Sequence, residues 1–324
     1  MNVLLAKLHA AGSLWNQFMD DESYNEYNNS YPLVSTSNSN FFVSNIKIED
    51  IQSSGISIQP SLSANLVVSS STFMKSKLTN SMIFFSKGNC ALFNVKISEN
   101  QFTKEMEGCL THIVVNQKSQ PSFNLNFLID CSISQNNLER SSNGLSSCYH
   151  IGGNQSFKYS NITNNYNSYE SGYELQKTSS SEVKFCQIVQ CISAYDIVSH
   201  QNGRYAVKFC NILKNVVNSS YSQGVFVSQF NEVETEFYSC SFIENEGPYL
   251  FYIFNSGRIE VIGCTLYGLS SVNSDKLDNF SIISPRFCNE TFEFITVLSI
   301  HSTPTPNEAE KPVDEGLFKK FWRF

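Results

Sequence analysis

The chain has 324 residues, of which 41% are hydrophobic and only 16% charged, with 26 Phe, 15 Tyr and conspicuous Ser and Asn; this composition favours β structure over helix bundles. The formal net charge of −7 speaks against a nucleic-acid partner, because no basic stripe is available to neutralise phosphates. No window reaches the roughly eighteen apolar residues that a membrane-spanning helix requires, and the ten cysteines include no CxxC pair and no His at metal-ligand spacing, so neither a zinc centre nor any other cofactor is expected.

Taken in chain order, Leu4, Leu8, Ala11, Trp15 and Phe18 recur at helical spacing and predict a short amphipathic helix. Lys7 and His9 interrupt the apolar run that a secretory leader would need, so the helix reads as a cap over the first coil of a repeat region. Residues 19 to 40 are polar, contain Pro32 and read as a loop; residues 1–40 together form the predicted N-terminal cap.

From residue 41 to about residue 300 one frame repeats: an apolar residue, two spacers, a small residue, one spacer, a large apolar residue, two spacers, Asn. Val207/Cys210/Ile212/Asn215, Phe237/Cys240/Phe242/Asn245, Leu128/Cys131/Ile133/Asn136, Phe157/Ser160/Ile162/Asn165 and Leu92/Val95/Ile97/Asn100 are full copies, and four looser ones centre on Ile46, Ser71, Cys186 and Cys264. Most centres lie 24 to 30 residues apart, with one interval of 36. The frame breaks strict alternation by one residue, which places a tight bend between two short strands, and a further strand-like run lies between frames, as at Met82–Phe85 and Leu250–Phe254. A coil of about 24 residues at roughly 3.3 Å each wraps a perimeter of two or three strands. The predicted fold is therefore all-β: a right-handed parallel β-helix of about nine to ten coils, its hand expected from the crossover rule. A leucine-rich horseshoe shares the spacing, but it would hold Leu where this chain has Cys or Ser and would show helical spacing in the rest of each unit. Stacked coils would place Cys131, Cys186, Cys210, Cys240 and Cys264 in equivalent interior slots and Asn over Asn at the following turn.

Residues 301–315 form a Pro- and Glu-rich linker, and residues 316–324 form a short tail with Leu317, Phe318, Phe321 and Trp322 on one helical face and Lys319, Lys320 and Arg323 on the other. Membrane contact, if any, is expected only through this tail.

The Phe242-to-Asn245, Ile97-to-Asn100, Ile133-to-Asn136, Ile162-to-Asn165 and Ile212-to-Asn215 elements, many preceded by Cys two residues earlier, resemble the β-helix repeats of polymorphic outer-membrane proteins, and are similar to those of Cys- and Asn-rich surface proteins of parasitic protists. The companion Gly-Gly-Ala-Ile element survives only as Gly108-Cys109-Leu110 and Gly224-Val225-Phe226. The resemblance implies a non-catalytic surface or secreted protein, extracellular or at the cell surface, that presents an extended face to a glycan or to a host or cell-surface protein. An intracellular scaffold with reduced cysteines is the alternative.

Two sets of residues are candidates for chemistry. His112, His150, Glu174 and Asp196 can be aligned on successive coils, where carboxylates and imidazoles would suit polysaccharide cleavage by acid–base catalysis; convergence of three carboxylates and a base in one groove would favour that reading. Lys158, Lys184 and Lys208 occupy one frame position in three successive copies, where like charges splay unless an anion bridges them. An acidic glycan or sulfate would fit that row. No phosphate-binding glycine loop or nucleophile elbow occurs, and the six sequons, at Asn28, Asn154, Asn161, Asn218, Asn279 and Asn289, are as many as this composition yields by chance.

Overall fold

The computed structural model describes residues 24–103, 108–115, 124–139, 144–178, 180–218, 224–229, 233–253 and 257–268, together with the backbone of 281–283. The predicted capping helix, the 301–315 linker and the 316–324 tail lie outside the described residues.

The chain forms a parallel β-solenoid with three main sheets and no helix among the described residues. Sheet 1 has eleven strands, from Tyr24–Tyr27 to Ser281–Ile283; sheet 2 has nine, from Lys47–Glu49 to Thr265–Tyr267; sheet 3 has nine, from Leu33–Ser35 to Tyr249–Ile253. Nine rungs on sheets 2 and 3 enclose about eight complete turns, slightly fewer than the nine to ten coils expected. One coil illustrates the path: sheet 1 at Arg204–Lys208, sheet 2 at Asn211–Leu213, a two-residue strand at Val216–Val217, then sheet 3 at Gly224–Gln229.

The repeated frame is the geometry of one corner. Its first apolar residue is the last inward-facing residue of a sheet 1 strand, and its large apolar residue is the inward centre of a sheet 2 strand; Val207 pairs with Val183 and Phe237, and Ile212 with Ile188 and Phe242. Between them stands a residue in left-handed conformation. Asn45, Ser70, Asn94, Asp130, Tyr159, Phe185, Phe209, Ser239 and Gly263 hold that position on nine successive rungs, with φ between 48° and 61°. A single left-handed residue turns the chain without consuming a loop, and this is why the alternation slips by one. The same device closes the far end of each sheet 2 strand, at Asp50, Lys75, Glu99 and their equivalents.

Like side chains then stack in columns. Cys186, Cys210, Cys240 and Cys264 succeed one another, each backbone N–H of the first three meeting the next sulfur at 3.2–3.5 Å; the nine described cysteines are buried and unpaired. The Asn column runs Asn100, Asn136, Asn165, with amide-to-amide bonds of 3.0 and 2.9 Å, and resumes at Asn215 and Asn245 with one of 2.9 Å. Each of these amides also accepts a backbone N–H from the preceding coil, as Asn136 does from Asn100 at 3.0 Å. Phe73, Phe85, Phe157, Phe237 and Phe242 fill the interior between the sheets. Where sheet 3 returns to sheet 1, Gly88 adopts φ +136° with its backbone packed so closely on Ala64 that an added Cβ would sit 1.6 Å from the Ala64 carbonyl oxygen; only glycine fits there.

Candidate functional site

Sheet 3 gathers the first set of candidates, with two changes of register. His112 is opposite Phe84 and Tyr149, and Tyr149 is opposite Glu174, so these residues share the outward row. His150 belongs to the inward row, opposite Ile113 and Leu175. There its Nδ1 lies 2.7 Å from Asn126 Oδ1 and its Nε2 2.9 Å from Thr111 Oγ1; burial, with His112 nearby, lowers its pKa to about 3. His150 is thus a neutral, satisfied core residue and does not join His112, whose own pKa burial lowers to about 4. The alignment by sequence erred by one residue because the connections from corner to sheet 3 differ in length, and a one-residue slip exchanges faces.

Asp196 is also displaced from its expected partner: it is opposite Glu170, while Glu174 is opposite Ser199. Asp196 lies three residues before Ser199, and an extra residue in the strand Glu170–Gln176, between Glu170 and Tyr173, sets it opposite Glu170 instead of Ser171. Gly172 occupies this bulge, where a Cβ would come within 2.6 Å of the Ile197 carbonyl oxygen. The result is a carboxyl trio, Glu170, Glu174 and Asp196, that is 1–5% exposed. Gln176 Nε2 donates to Glu174 Oε1 at 2.5 Å, and Gln201 Nε2 donates to the same oxygen. Burial first, then Asp196 and Glu174, push Glu170 far above the carboxylate range; burial and the Glu174 charge do the same to Asp196. Burial raises Glu174 as well, while its contacts with Gln176 and Glu170 pull in the other direction. Such a set can exchange protons, but its burial keeps a polymeric substrate away. Among the described residues no group of His, Cys, Asp or Glu is arranged to hold a metal ion.

The lysine row is in register as the frame predicts: Lys158, Lys184 and Lys208 lie opposite one another on the outer side of sheet 1. Their repulsion is relieved from within the chain. Glu182 carboxylate oxygens lie 2.9 Å from Lys158 Nζ and 3.5 Å from Lys208 Nζ, and the Lys158 contact holds Glu182 below its usual range. The Lys184 ammonium instead lies over the rings of Phe185 and Phe209, 5.1 and 5.8 Å from their centroids.

Those rings belong to a feature that sequence reasoning missed. Tyr159, Phe185 and Phe209 are the residues that immediately follow the three lysines, and each occupies the left-handed corner. They form a continuous stack, with centroids 5.2 and 5.3 Å apart and ring planes within 14° of parallel. They are 51%, 38% and 48% exposed. Elsewhere the same corner holds Asn, Ser, Asp or Gly, which tolerate positive φ, whereas a bulky aromatic residue there is strained. Reading this position down the nine frames would have revealed the change from polar to aromatic. Comparison with family models, curated proteins and solved structures finds no match to this chain. What the chain offers for comparison is its own geometry.

Proposed function

We propose that this chain is a non-catalytic solenoid that presents an extended outer surface to a partner, as surface or secreted repeat proteins do. One observation carries the reading. Three consecutive rungs place exposed aromatic rings at a strained corner that is otherwise polar, and core packing gives no reason for them, since their side chains lie outside the interior cluster. Strain kept at an exposed position, where a neighbour in the repeat shows the relaxed alternative, marks a functional demand. Presentation of this surface outside the cell is part of the proposal.

The test replaces Tyr159, Phe185 and Phe209 together by Ser, the residue that Ser70 and Ser239 already place in this slot. Wild type and variant are compared on an array of immobilised glycans and peptides. Binding that depends on the rings supports the reading; a binding profile unaltered by the triple substitution refutes it.

Carbohydrate cleavage on sheet 3 is a second reading, favoured by the grouping of Glu170, Glu174 and Asp196 on adjacent strands and opposed by the near-complete burial of the trio. If Glu174→Gln and Asp196→Asn leave a measured glycan-cleaving activity unchanged, that reading fails.

A further inference from the structure

The chemistry of the ring stack and its lysines defines what this surface can hold. An aromatic ring is negative on its faces and positive at its edge. Here the inner faces are occupied: Phe185 is stacked between Tyr159 and Phe209, and the Lys184 ammonium lies against Phe185 and Phe209. The stacking direction runs from rung to rung, so the positive edges point outward along a strip that also carries three ammonium groups. Glu182 serves two of these, Lys158 and Lys208. Lys184 makes no ion pair among the described residues, and its charge stands at the centre of the strip. The strip is complementary to anionic groups repeated at about the rung spacing, roughly 4.8 Å.

We infer that the strip binds an acidic polysaccharide running along the solenoid axis, about one sugar to a rung, with a carboxylate or sulfate at Lys184 and ring C–H groups against the aromatic edges. This rests on the reading of the ladder as a binding surface. Other polyanions fit less well. An extended acidic peptide repeats its same-face side chains at roughly 6.8 Å and drifts out of step within three rungs; strand addition needs a free sheet edge and a docked helix needs a groove, while this corner is a ridge joining the interiors of two sheets. A single-stranded nucleic acid binds by stacking successive bases on free ring faces, and here both faces of Phe185 and one face of each of its neighbours are taken.

The experiment measures binding of the full chain to alginate, neutral dextran, poly-L-glutamate and oligo(dT), for wild type, Lys184→Gln and the Tyr159→Ser, Phe185→Ser, Phe209→Ser combination. Circular dichroism verifies the fold of each. Alginate is expected to bind and dextran not; the triple variant should weaken alginate binding about tenfold, Lys184→Gln by a few fold, and rising salt should weaken the wild type. Ring-dependent binding of poly-L-glutamate or oligo(dT) in preference to alginate overturns the glycan and leaves the binding surface standing. If alginate binding is indifferent to both variants the inference falls, and if no probe on the wider array is ring-dependent the reading beneath it falls too.

Discussion

Removing one amide from the interior column should cost far more than a surface substitution of the same chemistry. Asn136 is 1% exposed; its Nδ2 donates to Ile97 O at 3.2 Å, Ser134 O at 3.0 Å and Asn165 Oδ1 at 2.9 Å, while its Oδ1 accepts from Asn100 N and Nδ2, both at 3.0 Å. Asn136→Ala strips the buried Asn100 N–H of this acceptor, a desolvation cost of about 1–3 kcal/mol, and each of the other bonds contributes about 0.5–1.5 kcal/mol net. The sum is roughly 3–9 kcal/mol, partly offset by relaxation and by the side-chain ordering cost that Ala does not incur. Asn94→Ser, at a partly exposed corner where the amide makes one bond to Ser70 Oγ at 3.3 Å, should stay within about 1 kcal/mol. Urea titration followed by circular dichroism gives the global difference. Hydrogen exchange at the Asn100 amide gives the local one, which matters because a stack of coils need not unfold in a single step. A cost below about 1 kcal/mol for Asn136→Ala would show that the column is spectator geometry.

Other consequences are equally direct. Burial raises the thiol pKa of Cys131 and of Cys191 to about 12, so these two should resist a thiol reagent at pH 8 in the native protein and react in denaturant; disulfides among the nine described cysteines on peptide mapping would contradict the column. Burial depresses His150, and its folded pKa of about 3 lies below the unfolded value near 6.5; stability from this group is complete above pH 6.5 and lost as pH falls toward 3, so a His150→Gln variant, whatever its absolute stability, should show a flatter acid limb in a pH series of urea midpoints. The carboxyl trio acts in the opposite sense. Glu170 and Asp196 have folded pKa values raised above the unfolded ones, so stability declines as pH rises from the ordinary carboxylate range toward the folded values, and Asp196→Asn should stabilise the protein at neutral pH relative to pH 4; a gain independent of pH would place the effect elsewhere.

The corner was legible in the sequence because it is the most constrained part of each coil. One left-handed residue, an inward small residue and an inward large residue leave no room for insertion, so Cys210, Ile212 and Asn215 repeat almost without variation in spacing. Sheet 3 was harder to read because the connections that lead to it vary in length: Asp196 enters its strand three residues before Ser199, the residue that faces Glu174, and the extra residue beside Gly172 then sets it opposite Glu170 instead of Ser171. A one-residue error in the same region put His150 on the wrong face. The Lys158, Lys184 and Lys208 row was recovered since it lies immediately before the fixed corner. Its aromatic neighbours were overlooked because left-handed positions advertise themselves by Gly and Asn, and Tyr159, Phe185 and Phe209 violate that expectation. The violation is what carries the functional reading.

The amide column has a seam. Between Asn165 and Asn215 the slot is held by Cys191, whose backbone N–H reaches Asn215 Oδ1 at 3.0 Å and whose sulfur meets the Ile162 carbonyl oxygen at 3.5 Å, so the side-chain chain of bonds does not pass through it. Under tension applied at its two ends, the protein has a place to tear: a force–extension trace should show two blocks parting near this coil, and Cys191→Asn should merge them into a single stronger one.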